Sequence, residues 1–134
     1  MNALVTGGTK GIGFGIAGAM AAAGGQVMIT GRDAGGVERA VKALSARASG
    51  GGRVIGAVAD VRDRAAIEAA VAGAVTAFGS LDTLINNAGV GRFTPVEQTS
   101  DDDWHQVIDT NLTGVFYATR AAIPVLRKIG RAHV

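Results

Sequence analysis

Short apolar runs alternate along the chain with amphipathic stretches. Leu4-Val5, Val27-Met28-Ile29, Val54 to Ala59 and Leu84-Ile85 are runs without period-two alternation, the pattern of strands buried on both faces of a parallel sheet. Between them, apolar residues recur at helical spacing. Val37, Ala40, Val41, Leu44 and Ala48 form one such set, and Ile67, Ala70, Val71, Ala74 and Phe78 form another, so each stretch carries a single apolar face. A last helix is predicted from Ser100, an N-cap with Asp101, Asp102 and Asp103 at the positive end of the helix dipole, to about Lys128. Gly50 to Gly52 is predicted to be the loop between the second helix and the third strand.

Strand and helix in strict alternation call for right-handed crossovers, which place helices on both sides of an open sheet. The predicted fold is therefore α/β, a Rossmann-type doubly wound parallel sheet. With 134 residues, 48% hydrophobic content, no internal repeat and no linker, the chain reads as one unit. Its net charge of +2 comes from scattered Lys and Arg, not from a dense basic run, so neither nucleic acid nor an anionic membrane is expected as a partner. The absence of Cys removes disulfides and thiolate metal ligands, and His105 and His133 lie too far apart for a zinc motif. No metal is expected, and a reducing, cytoplasmic setting is. The passage from Met1 to Gly7 leaves no room for a signal peptide, and no apolar run reaches the ~20 residues of a membrane span. A soluble protein is the expectation.

Candidate chemistry concentrates after the first strand. In Thr6-Gly7-Gly8-Thr9-Lys10-Gly11-Ile12-Gly13, three glycines separate a strand from a helix at the spacing G-x-x-x-G-x-G. A helix N-terminus offers unpaired N–H groups and partial positive charge, so a pyrophosphate can sit there where missing side chains let the backbone approach. A glycine-rich turn without a ligand is the plainer reading, but the position directly after a strand disfavours it.

The spacing, with Thr6 before it and Ile12 inside it, resembles the T-G-x-x-x-G-x-G signature of short-chain dehydrogenases/reductases. Three further segments extend the resemblance in the same order. Asp60-Val61 ends the third strand where the family has an adenine-contacting Asp, Asn86-Asn87-Ala88-Gly89 follows the fourth strand as the family's N-N-A-G does, and Asn111 matches the family's helix Asn. The resemblance implies a site in which Gly7, Thr9, Lys10, Gly11, Ile12 and Gly13 hold phosphates, Asp60 and Val61 take the adenine, and Asn87, Ala88 and Gly89 line the cofactor. It gives Asn111 a supporting catalytic role, polarising a helix carbonyl that holds a proton-relay water. Asp60 is also suited to a turn, and Asn and Gly tolerate positive φ, so turn roles stay open beside the binding roles. Trp104, Phe116 and Tyr117 are expected to pack in the core or an interface, and His105 to lie at the surface.

The choice of cofactor turns on the end of the second strand, Ile29-Thr30-Gly31-Arg32-Asp33. In the NAD-preferring members that the chain resembles, an acid there takes the ribose 2′-hydroxyl; here Gly31 holds the place. Arg32 beside it and Lys10 in the glycine loop are suited to a 2′-phosphate, which favours NADP(H). The alternative leaves both cations solvated and gives Asp33 to the ribose.

The family continues through a catalytic Ser and a Tyr-x-x-x-Lys pair that this chain lacks; Tyr117 is its only Tyr and is followed four positions later by Ala121. The expectation is therefore an NADP(H)-binding half-domain over 1–128, truncated after the fourth strand and its following helix and inactive alone. The stretch 129–134 is then a non-native tail, or the start of a fifth strand, where the family has Gly-Arg before apolar residues. The implied parent is a homo-oligomeric oxidoreductase acting on a small-molecule carbonyl or alcohol. The rival is a binding module that senses NADP(H) without turnover, against which Asn111 argues.

Overall fold

The computed structural model describes residues 1–129. It alternates β1 (Asn2–Val5), α1 (Gly11–Ala22), β2 (Gln26–Gly31), α2 (Ala34–Ser45), β3 (Arg53–Val58), α3 (Arg64–Phe78) and β4 (Thr83–Ile85), and closes with α4 (Asp101–Ile108) and α5 (Gly114–Ile129). The strands form one parallel sheet in the order β3-β2-β1-β4. This is the doubly wound α/β arrangement expected from the sequence. The last residues of the predicted tail, Gly130 to Val134, lie outside the described residues.

The unbroken apolar runs have a simple cause. Successive strand residues point to opposite faces, and both faces are covered. Leu4 and Met28 pack with Ile67, Val71, Leu81, Ala118 and Ala122 beneath α3 and α5, while their neighbours Val5, Val27 and Ile29 pack with Ala17, Ala21 and Leu44 beneath α1 and α2. β3 departs from the expectation of burial on both faces, since only Val54 within it is buried and Val58 is 55% exposed. It is the outer strand, with Val54 packed beneath α2 and, on its other face, Ile55 and Ala57 only partly buried against the cluster beneath α3 and α5.

Three helices begin at side-chain caps that satisfy an otherwise unpaired N–H. Asp33 accepts from Gly36 N at 2.6 Å, Asp63 from Ala66 N at 3.1 Å, and Ser100 from Asp103 N at 3.1 Å. The predicted continuous helix from Ser100 is instead interrupted: a π turn over Asp109–Thr113 joins α4 to α5. Such turns insert an extra residue into the hydrogen-bond ladder and recur at functional sites. Here the turn contains Asn111.

The order of strand addition reverses between β1 and β4, since β2 and β3 extend to one side of β1 and β4 lies on the other. Ligands of open α/β sheets bind beyond the carboxyl ends of the strands at such a switch.

Candidate functional site

A cleft of about 330 Å³ opens at that switch. Its walls come from the segments that follow the four strands. The glycine loop after β1 contributes Gly7, Thr9, Lys10, Gly11 and Ile12; the end of β2 contributes Thr30, Gly31 and Arg32; Ala59, Asp60 and Val61 follow β3; and Asn87, Ala88, Gly89 and Val90 follow β4. Thr110, from the π turn, completes it. Of the residues expected at a cofactor site, all but Gly13 line this cleft.

The glycine loop is held open from behind. Gly7 and Gly11 adopt φ of +64° and +58°, a region that side chains strongly disfavour. Thr6, buried to 2% exposure, accepts through its hydroxyl from the backbone N–H groups of Asn87 and Ala88, both at 3.1 Å. In return the Asn87 amide donates to the carbonyls of Thr6 (3.0 Å) and Gly7 (2.9 Å). These bonds staple the segment after β4 to the loop after β1. They also explain Gly13, whose added Cβ would meet the Asn87 amide nitrogen and lie 2.5 Å from the Gly7 carbonyl oxygen. Gly13 is buried and faces this staple, so the clearance it provides is for protein groups, not for a phosphate.

The start of α1 differs from those of α2, α3 and α4. Lys10 stands at its N-cap with no side-chain cap bond, so the first-turn N–H groups and the positive end of the helix dipole remain available at the wall lined by Lys10, Gly11 and Ile12. Gly11 has no atom within 4 Å of an added Cβ. The chemistry is that of an anion cradle.

At the end of β2 the space for an acid is filled. An added Cβ on Gly31 would lie 2.5 Å from Thr9 Cγ2 and 3.1 Å from Val37 Cγ2, so Thr9 occupies the place where an acidic side chain would stand. Asp33 is committed elsewhere, capping α2 and lying 3.8 Å from Arg39. Among the described residues neither Lys10 nor Arg32 enters an ion pair, and both line the cleft.

Asp60 lines the cleft beside the end of β2, where the Ala59 N–H donates to the Gly31 carbonyl at 2.8 Å. Arg62 binds its carboxylate at 2.7 Å and holds its pKa below the ordinary value, against a smaller opposing effect of burial; the charge of Arg32 adds to the lowering. Val61, buried, packs against the start of α5, where an added Cβ on Gly114 would lie 2.7 Å from Val61 Cγ2. The hydroxyl of Thr30, fully buried beside the cleft, has no hydrogen-bond partner. Sequence reasoning did not single out Thr30, Ala59, Val90 or Thr110. Each neighbours a residue already marked; strand register points to Thr30 and to Ala59 directly after β3, whereas Val90 and Thr110 lie away from the strands.

Asn111 does not line the cleft. Its amide bonds both backbone groups of Val90, accepting from the N–H at 2.8 Å and donating to the carbonyl at 2.7 Å. Asn111 therefore ties the π turn to the loop after β4. Tyr117 packs partly buried against the core, whereas Phe116, Trp104 and His105 are exposed. Metal-binding clusters of His, Cys, Asp or Glu are absent among the described residues, and no helix there is long and apolar enough to cross a membrane.

Comparison with known proteins places this arrangement. The family model described as short chain dehydrogenase matches residues 1–134. The chain is 40% identical over 126 residues to D-beta-hydroxybutyrate dehydrogenase of Cupriavidus necator, covering 94% of this chain and 48% of that protein. It is 39% identical over 129 residues to an NADP-dependent (R)-specific alcohol dehydrogenase of Lentilactobacillus kefiri, covering 96% and 49%. Among solved structures, L-sorbose reductase of Gluconobacter frateurii, complexed with NADPH and L-sorbose, superposes with a TM-score of 0.87 at 27% identity, covering 96% of this chain and 48% of that one. The chain thus spans about half the length of the curated relatives it matches.

Proposed function

The chain belongs to the short-chain dehydrogenase family, and from that premise we propose that it is the cofactor-binding half of an NADP(H)-dependent oxidoreductase. The parent enzyme moves hydride between the nicotinamide and a small carbonyl or alcohol substrate. One observation carries the cofactor assignment: at the end of β2 Thr9 fills the space of an acid, Asp33 is spent on a helix cap, and Arg32 and Lys10 line the cleft as cations. A 2′-phosphate finds two charge-assisted partners there, and a 2′-hydroxyl finds no acid. An NADP-dependent relative and a neighbour complexed with NADPH support the same choice.

Each wall has a task on this reading. The uncapped start of α1, with Gly7 and Gly11 in the loop before it, cradles the pyrophosphate; Thr9 and Ile12 flank it; Lys10 and Arg32 bind the 2′-phosphate. Asp60 and Val61 bound the adenine end, and Asn87, Ala88 and Gly89 bound the run toward the nicotinamide. Gly13 shapes the loop from behind. Asn111 acts in support, fixing Val90 and the π turn. NADP(H), when bound, supplies or accepts the hydride.

The domain reading follows: 1–128 is the NADP(H)-binding half, and the proton donor lies in sequence beyond it, so this chain alone does not turn over. Exposed Leu112, Phe116 and Ile123 on and beside α5 are then surfaces for the remainder of the enzyme and for a second subunit. A chain without cysteine suits a reducing, cytoplasmic setting.

NADPH oxidation by the complete enzyme and by this 134-residue chain, each offered a panel of ketones and aldehydes, tests the reading. Turnover by the complete enzyme with none by the chain is expected. A complete protein that binds NADPH tightly and reduces no carbonyl would make it a sensor instead.

A further inference from the structure

Asp60 and Arg62 stand where β3 gives way to α3, and the carboxylate is gripped on both oxygens. Asp60 Oδ1 accepts from the Arg62 backbone N–H at 2.9 Å and from Nε at 3.1 Å. Oδ2 accepts from Nε at 3.2 Å and from a terminal guanidinium nitrogen at 2.7 Å. Asp60 lines the cleft and Arg62 does not. The charge of Asp109, at the head of the π turn, adds weakly to the stabilisation of the Arg62 cation.

We propose that Arg62 is a positioning residue for base recognition: it clamps the Asp60 carboxylate so that one acceptor site faces the cleft and takes the exocyclic amino group of adenine. The inference rests on the cleft being an adenine-dinucleotide site. An ionised carboxylate offers about four lone-pair sites. The backbone N–H, the Nε–H and one terminal N–H of Arg62 take three of them, Nε being shared between the oxygens. One site is left, on a group whose plane is fixed by a planar fork of donors.

A fixed anionic acceptor with no proton to give selects a base edge that presents N–H and repels one that presents a carbonyl oxygen. Adenine is therefore preferred over hypoxanthine, which differs from it at that group. The guanidinium also holds the carboxyl below the usual carboxylate range, so the site remains a pure acceptor at mildly acid pH. Without Arg62 the carboxylate is free to rotate and loses the main contact that holds its pKa down.

The test compares binding of NADPH and of its hypoxanthine analogue, deamino-NADPH, by the complete enzyme and by its Arg62→Ala, Arg62→Lys and Asp60→Ala variants. The parent is expected to favour NADPH roughly tenfold, the size of one charge-assisted hydrogen bond. In Arg62→Ala the preference falls to about twofold, and the preference that remains is lost at a higher pH than in the parent as Asp60 protonates. Arg62→Lys, which keeps the charge and loses the fork, falls between. A merely structural Arg62 would weaken both ligands equally and leave the ratio unchanged, which overturns the clamp. Full preference retained in Asp60→Ala overturns the adenine reading of Asp60 itself, and the clamp with it. Preference lost in Asp60→Ala but kept in Arg62→Ala overturns the clamp alone.

Discussion

Thr6 carries more of the site than its position before the glycines suggests. The motif marked it as a companion of the loop, yet its buried hydroxyl receives the N–H groups of Asn87 and Ala88. Two distant segments meet there, which no local pattern reports. Thr6→Val keeps the shape and removes the acceptor, leaving two buried donors to be satisfied elsewhere. A loss of about 1 to 3 kcal/mol in unfolding free energy is expected, read by denaturant melts of the complete enzyme, together with weaker NADPH binding. Unchanged stability would mean that the staple contributes nothing. Gly13 is the complementary lesson. The motif names it correctly, but its reason is the Asn87 amide and the Gly7 carbonyl, so a side chain there disrupts the loop before any ligand is considered. Gly31 was legible as a missing acid, whereas Thr9 filling the gap was not.

The strands, α2 and α3 were readable because burial on both faces of the sheet leaves unbroken apolar runs and one-sided helices, whereas α1 was marked only by the glycine loop before it. β3 was read as fully buried because Val54 to Ala59 is apolar throughout; strand order, which puts it at the edge, is invisible in such a run. The long helix after Ser100 was correct in its start and extent but concealed the π turn, which depends on tertiary contacts. There the Asn111 amide holds both backbone groups of Val90. Asn111→Ala releases the segment after β4, which has no regular structure between Ile85 and Val96. Faster amide exchange and proteolysis confined to residues 89–95 are expected, with a smaller effect on global stability than Thr6→Val. Protection unchanged in that segment would show that the contact does not restrain it.

The molecule as a whole is a sheet whose four strand ends deliver one cleft. Family, fold and most of the lining were legible because the motifs sit on consecutive strand ends, and a parallel sheet brings those ends together. Substrate choice was not legible, since the chain spans about half of its relatives. The central claim is that this cleft is built for a 2′-phosphate: cations at Lys10 and Arg32, an acid's place closed by Thr9, and Asp33 turned to capping. Calorimetric titration of the complete enzyme with NADPH and with NADH tests it most directly. NADPH is expected to bind at least tenfold more tightly, roughly the value of one charge-assisted contact or more, and Arg32→Asp is expected to abolish or invert the preference. Equal or NADH-favouring affinity, or a preference untouched by Arg32→Asp, would contradict it.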